Sequence, residues 1–116
     1  MIKVMIVDDS RIFRKMLRAA FVETGNEVIG EAGNGQEALE LLKNCKPDLV
    51  TLDITMPVMD GIEALAQIKE YDERARVIMV TAAGQQQKII EALKIGAEHF
   101  ITKPFEREEV LKCLEA

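Results

Sequence analysis

Three carboxylates and two further polar side chains stand where short apolar segments of the sequence end. Asp8 and Asp9 follow the first apolar segment, and Asp53 follows the third. Thr81 and Lys103 close two later segments in the same way. The carboxyl ends of parallel strands meet at one edge of an open α/β sheet, where such sheets bind their ligands. The five residues are therefore predicted to converge on one chemical site.

The charges of these residues indicate the chemistry of that site. Three carboxylates brought within several ångströms repel one another by several kcal/mol at an intermediate dielectric constant of roughly 20. The Lys103 ammonium or a divalent cation must offset this repulsion. Carboxylate oxygens without a nearby His or Cys suit Mg²⁺ better than Zn²⁺. Because Mg²⁺ keeps several waters, it leaves room for the oxygens of a phosphoryl group, which is the predicted ligand.

Each residue taken singly also fits an ordinary structural role. Residues 8–10 suit a helix N-terminus, where acidic and hydroxyl side chains accept hydrogen bonds from free backbone N–H groups. Asp53 suits a turn, Lys103 a solvated position before a proline, and Thr81 the end of a β-branched strand. Independent turn residues have little reason to share one edge of a sheet, and this coincidence favours a site.

The segments that position these residues alternate between two patterns along the chain. Short apolar runs predict five strands, at residues 2–7, 28–32, 49–52, 77–80 and 100–102. Apolar residues at the helical period predict helices after Ser10, Asn34-Gly35, the 57–61 turn and Gly84, and over residues 106–114. Strict alternation implies right-handed crossovers and a parallel sheet covered on both faces.

The apolar stripe of each helix is expected to face the core. In the first helix it includes Ile12 and Met16, and in the third it includes Ala66. In the fourth helix it includes Ile90 and Leu93.

Composition limits the classes of protein. The 116 residues, 48% of them hydrophobic, match a single domain over residues 1–116. A net charge of −5 without a basic run argues against nucleic-acid or membrane binding. No signal-peptide pattern or transmembrane run is present, and Cys45 and Cys113 lack CxxC spacing. A cytoplasmic protein with two reduced thiols is expected.

Four motifs of the chain, in order and at the same spacing, resemble the receiver domains of two-component response regulators, most closely the stand-alone chemotaxis regulators. The resemblance covers essentially the whole chain. It implies a flavodoxin-like (βα)5 fold, a doubly wound parallel five-stranded sheet of strand order 2-1-3-4-5. The matching segments are Val7-Asp8-Asp9-Ser10, Asp53-Ile54-Thr55-Met56-Pro57-Val58-Met59-Asp60-Gly61, Thr81-Ala82 and Lys103-Pro104-Phe105.

The resemblance also implies a role for each site residue. Asp53 is the phosphoacceptor, and Asp9 and Asp53 bind Mg²⁺ directly. Asp8 holds a metal-bound water, and the backbone carbonyl of Thr55 supplies another ligand. Lys103 pairs with a carboxylate at rest and with a phosphoryl oxygen afterwards.

The same resemblance implies a switch that reports phosphorylation. Thr81 moves to a phosphoryl oxygen and vacates space that Phe100 occupies, while the Lys103–Pro104 peptide bond is cis. A core position that Phe100 never leaves is the alternative. Thr55 stands where many relatives have Asn, and Ala83 stands where some have an acidic or amide side chain. Both positions flank the path of attacking water, so slow or moderate self-dephosphorylation is expected.

The partners implied are a CheA-like histidine kinase, a FliM-like flagellar motor switch protein and a phosphatase, all acting on a monomer. The chain would catalyse only its own phosphorylation and dephosphorylation, and its fourth helix, fifth strand and fifth helix would bind the target. One alternative is a receiver of a phosphorelay or of a regulator with another output, such as transcription. Another is a Mg²⁺-dependent phosphatase or a flavin carrier on this fold. Asp8 and Asp9 argue against the flavin carrier because they would repel a cofactor phosphate, and Thr55 argues against the phosphatase because it cannot serve as a second acid.

Overall fold

A computed structural model describes residues 1–115, with the exception of the Glu115 side chain. Within this range the chain forms five strands and five helices that alternate as predicted. Each short apolar run forms a strand, because a strand buried on both faces needs apolar residues throughout. The elements are β1 (Lys3–Val7), α1 (Arg11–Glu23), β2 (Glu27–Ala32), α2 (Gly35–Leu42), β3 (Leu49–Asp53), α3 (Gly61–Tyr71), β4 (Arg76–Ala82), α4 (Gln86–Ile95), β5 (His99–Lys103) and α5 (Arg107–Glu115).

All neighbouring strands are parallel, and their order, β2-β1-β3-β4-β5, confirms the predicted fold. The register aligns Asp53 of β3 with Val80 of β4, and Ala82 of β4 with Lys103 of β5. Asp8 directly follows the end of β1. The register therefore places the carboxyl ends of β1, β3, β4 and β5 at the same edge of the sheet.

Two apolar clusters cover the two faces of the sheet. One packs α2, α3 and α4 against the sheet, and the other packs α1 and α5 against the opposite face. Consecutive residues of β1 point alternately into the two clusters, so Met5 and Ile6 are both fully buried. This double burial makes the central strands a rigid support for the residues at their ends.

Five helical residues that were expected to face the core are exposed, and for them the prediction was wrong. On α1, Ile12 is 71% exposed and Met16 is 42% exposed, and on α4 the values are 48% for Ile90 and 42% for Leu93. Ala66 of α3 is also exposed. A helix on an open sheet contacts it through a narrow stripe, so apolar residues beside that stripe remain in solvent.

Gly61 permits the tight junction between β3 and α3. A Cβ atom at this position would clash with the backbone oxygen of Asp53. The Gly61 N–H donates a hydrogen bond to the Ile54 carbonyl, and Asp60 caps α3 by accepting from the Glu63 N–H at 2.9 Å. Only glycine fits here, and the loop that follows Asp53 is consequently held over the end of the sheet.

Two further sequence expectations concern the thiols and membrane insertion. Cys45 and Cys113 are free and partly exposed, as predicted for reduced thiols. Of the helices that the structure describes, none has the length and apolarity required to cross a bilayer.

Candidate functional site

The carboxyl edge of the sheet gathers three carboxylates. One carboxylate oxygen from each of Asp8, Asp9 and Asp53 lies within 4.8 Å of the other two. Asp8 and Asp53 are buried, at 1% and 6% exposure, whereas Asp9 is exposed. The cluster is therefore closed on its protein side and open to solvent beside Asp9.

Residues 8–10 act both as a helix cap and as part of this cluster. The Ser10 side chain caps α1 by accepting a hydrogen bond from the Phe13 N–H at 3.3 Å. The Ser10 N–H donates to Asp8 Oδ1 at 2.8 Å, and the Arg14 guanidinium donates to the Asp8 backbone oxygen. The structural and the chemical interpretations of this segment thus hold together, since capping α1 also orients Asp8.

Lys103 supplies the positive charge of the site. Its Nζ lies 2.8 Å from Asp8 Oδ2 and 3.2 Å from Asp53 Oδ2. Burial disfavours the charged ammonium, but contacts with the two carboxylates outweigh burial and hold the pKa of Lys103 above its ordinary value. One ammonium opposes three carboxylates, and the cluster retains a surplus of negative charge.

The surplus charge changes the protonation of Asp53. Burial, together with the charge of Asp8, raises the pKa of Asp53 to about 6, while Lys103 and the Thr55 backbone N–H act in the opposite direction. The carboxylate is thus mostly ionised at neutral pH, but its ionisation lowers the stability of the folded chain. A cation beside it would lower its pKa again.

Without a divalent cation, we expect Asp53→Asn to raise the free energy of unfolding at pH 7 by on the order of 2 kcal/mol. The folded chain binds more protons than the unfolded chain between the ordinary Asp53 pKa of 3.8 and about 6, so stability falls as pH rises through that window. Asn removes this penalty. Urea unfolding with a chelator, at pH 4 and pH 7, measures it, and an equal difference between the two proteins at both pH values would contradict the prediction.

Among the residues that the structure describes, the side chains of Thr81, Thr55 and Phe100 form no hydrogen bond with the three carboxylates. Thr81 is buried at the carboxyl end of β4, and its hydroxyl donates to the Ala82 backbone oxygen at 3.3 Å. The Thr55 side chain accepts a hydrogen bond from Gln85 Nε2 at 3.2 Å. Phe100 is 46% exposed, so it is not a permanently buried core residue in this structure.

Two residues of the site were missed by sequence reasoning. The Phe13 ring lies against the Lys103 ammonium, and the Arg14 side chain contacts the Asp8 backbone. Both occupy ordinary helical positions, where apolar and basic residues are common, and their spacing carries no signal. The Lys103–Pro104 peptide bond is cis, as the resemblance implies.

The donor set of the cluster fits Mg²⁺. Its members offer only carboxylate oxygens, and the exposure of Asp9 leaves space for the waters that Mg²⁺ retains. When bound, Mg²⁺ would neutralise the surplus negative charge. Asp9 and Asp53 are the residues expected to bind it directly, and Asp8 is expected to hold a metal-bound water.

We expect Asp9→Asn to weaken Mg²⁺ binding about tenfold, from an affinity in the micromolar to millimolar range, because one anionic ligand is lost. Titration of Mg²⁺ while following amide chemical shifts measures the affinity. Asp60→Asn is the matched control, since Asn caps a helix as well as Asp and position 60 lies outside the cluster. An unchanged affinity in Asp9→Asn would remove that residue from the metal site.

Comparison with known proteins identifies relatives over nearly the whole chain. The family model described as the response regulator receiver domain matches residues 4–115. The chemotaxis protein CheY of Bacillus subtilis (strain 168) is 49% identical over 112 residues, which cover 97% of this chain and 93% of the relative. CheY of Thermotoga maritima shows the same identity and coverage.

A solved structure resembles the chain equally well. It is the crystal structure of the CheX-CheY-BeF3-Mg²⁺ complex from Borrelia burgdorferi, which has a TM-score of 0.92 and 46% sequence identity. The match covers 97% of this chain and 85% of that chain.

Proposed function

Because the chain belongs to the response regulator receiver domain family, we propose that it accepts a phosphoryl group from a histidine kinase on Asp53, in a Mg²⁺-dependent reaction, and then binds an output protein. The observation that carries this proposal is the Asp53 carboxylate, buried beside Lys103 and within a three-carboxylate cluster. Such a group combines a nucleophilic oxygen with the charges that a phosphoryl group requires.

The transfer proceeds by in-line displacement. A carboxylate oxygen of Asp53 attacks the phosphorus of a phosphohistidine, the P–N bond breaks, and the histidine nitrogen leaves with the bond electrons. Lys103 then donates to a phosphoryl oxygen while it keeps its contact with Asp8. When bound, Mg²⁺ would be held by Asp9, Asp53 and the backbone carbonyl of Thr55, with Asp8 holding one of its waters, and it would neutralise charge on the transferring group.

The proposed output is chemotactic signalling. The CheY relatives support a kinase of the CheA type and a flagellar motor switch protein as partners. The Borrelia complex of CheY with CheX supports a further partner, which we propose is a phosphatase. The target surface on this chain is the groove between α4 and β5, where the exposed Ile90, Leu93 and Phe100 lie together.

Phosphoryl transfer and target binding test the two halves of this proposal. A chemotaxis histidine kinase is labelled with radioactive phosphate, and the label is expected to move to this chain with Mg²⁺ and to stay on the kinase with a chelator. Beryllofluoride-loaded chain should then bind a flagellar motor switch protein more tightly than unloaded chain. Label that never moves contradicts the receiver function, whereas transfer without a change in switch binding indicates another output.

A further inference from the structure

An aromatic ring lies against the Lys103 ammonium, which pairs with the acidic cluster. The Lys103 Nζ is 4.4 Å from the centroid of the Phe13 ring, over its face. The Lys103 side chain is only 12% exposed, so little water screens this contact. A cation at this distance from a ring face is attracted by the ring quadrupole.

Phe13 is held in this position from two sides. Its backbone N–H donates to the Ser10 side chain at 3.3 Å, and the Ser10 N–H donates to Asp8 Oδ1 at 2.8 Å. Its ring packs against Phe105, with 5.6 Å between the ring centroids and 47° between their planes. The start of α1 and the segment after β5 thus fix the ring relative to both Asp8 and Lys103.

We propose that Phe13 is a positioning residue for phosphoryl transfer, whose ring holds the Lys103 ammonium between Asp8 and Asp53 and leaves one N–H donor for a phosphoryl oxygen. This inference rests on the proposed function and adds a residue to the same site. A lysine ammonium has three donors. Asp8 and Asp53 each lie within ion-pair distance of it. The ring attracts the ammonium without occupying an N–H group that could donate to an oxygen.

The positioning matters because a lysine side chain is flexible. Its four-carbon chain loses rotamer freedom whenever it is brought to a fixed point. With the ring and two carboxylates around it, the ammonium is already ordered at the place where a phosphoryl oxygen would arrive. Pre-ordering of this kind accelerates transfer by lowering the cost of alignment in the transition state.

Simple packing is the competing explanation, since Phe13 also belongs to the apolar contacts of α1 and α5. Leucine separates the two explanations, because it is apolar and fills a similar space but has no ring face. Tyrosine retains the face. Phe21→Leu is the matched control, since Phe21 is a buried aromatic residue on the same helix and in the same cluster.

The first measurement is the NMR signal of the Lys103 ε-methylene group. In the original chain and in Phe13→Tyr, the ring current should move its proton resonances upfield of ordinary lysines. Phe13→Leu should return them to the ordinary position. This measurement needs no phosphoryl donor, and amide spectra of the same samples report whether each variant is folded. If Phe13→Leu does not fold, Phe13→Met takes its place.

The second measurement is the rate of phosphorylation by acetyl phosphate with Mg²⁺. We expect Phe13→Leu to slow it by about three- to tenfold, a range between those of exposed and of fully desolvated cation–π contacts. Phe13→Tyr should restore most of the rate, and Phe21→Leu should leave it unchanged.

The outcomes distinguish the positioning role from the proposed function. A Phe13→Leu rate equal to that of the original chain, an ordinary lysine signal in the original chain, or an equal loss in Phe21→Leu would each overturn the positioning role alone. If the original chain takes no phosphoryl group, the proposed function fails and the positioning role fails with it.

Discussion

An Asp53→Asn variant is expected to take essentially no phosphoryl group from acetyl phosphate. In the original chain with Mg²⁺, a carboxylate oxygen of Asp53 attacks the phosphorus, the bond to the acetate oxygen breaks, and acetate leaves. The amide of Asn is a far weaker nucleophile and carries no charge to attract a cation. Phosphoryl incorporation should fall by at least about a thousandfold, as it does when enzymes lose their nucleophile.

Intact mass spectrometry measures the result directly. The original chain should gain the mass of one phosphoryl group with Mg²⁺ and none with a chelator. Asp60→Asn is the matched control, because Asp60 is a carboxylate of the same loop but serves as the cap of α3. Equal incorporation in Asp53→Asn and the original chain would place the nucleophile elsewhere. Loss in both variants would point to a general disturbance of the loop.

The parts of the site that sequence predicts are those fixed by strand ends. Asp8, Asp53 and Lys103 each follow or end a buried strand, and parallel pairing leaves such positions a single common edge. The alternation of strands and helices was predictable for the same reason, because double burial demands continuous apolar runs. Strand order required the family resemblance, since apolar periodicity does not distinguish between permutations of buried strands.

The parts that sequence does not predict depend on which face of a helix meets which neighbour. Ile12 and Phe13 are adjacent apolar residues at the start of α1, yet Ile12 is exposed and Phe13 lies against Lys103. The helical period is compatible with both residues on one apolar face. Only the orientation of α1 on the sheet decides which of the two is exposed. The Gln85 contact with Thr55 is similarly invisible in sequence, because two loops far apart in the chain meet there.

We expect Thr81→Ala to separate phosphorylation from output. Thr81 is buried near the end of β4, in the strand that pairs with β3 and its Asp53, and its hydroxyl donates only to the neighbouring Ala82 carbonyl among the hydrogen bonds described. Because this hydroxyl donates only to an adjacent backbone carbonyl, it is able to rotate toward a phosphoryl oxygen. A hydrogen bond to a charged group is worth about 1.5 to 3 kcal/mol. Losing it should lower the ratio of on to off states about ten- to hundredfold.

The structure suggests how this loss would reach the surface. Phe100 is 46% exposed and lines the groove between α4 and β5, next to Thr102, the residue that pairs with Thr81 in the sheet. If the Thr81 side chain moved toward the acidic cluster, it would leave a space beside β4, and the Phe100 ring would turn into that space. Because Phe100 has no hydroxyl, packing alone decides between its two positions.

Beryllofluoride with Mg²⁺, which mimics the phosphoryl group on Asp53, allows the test. Chemical-shift changes over residues 89–114 should be large in the original chain, largely restored in Thr81→Ser, which keeps the hydroxyl, and mostly lost in Thr81→Ala. Thr51→Ala, at an equally buried threonine of β3, controls for loosening of the sheet. Acetyl phosphate should still modify all four proteins, because Asp53 and Lys103 are intact. Equal shifts in Thr81→Ala and the original chain would show that the output surface is coupled to Asp53 by another route, and the loop contact between Thr55 and Gln85 at the start of α4 would be the next to test.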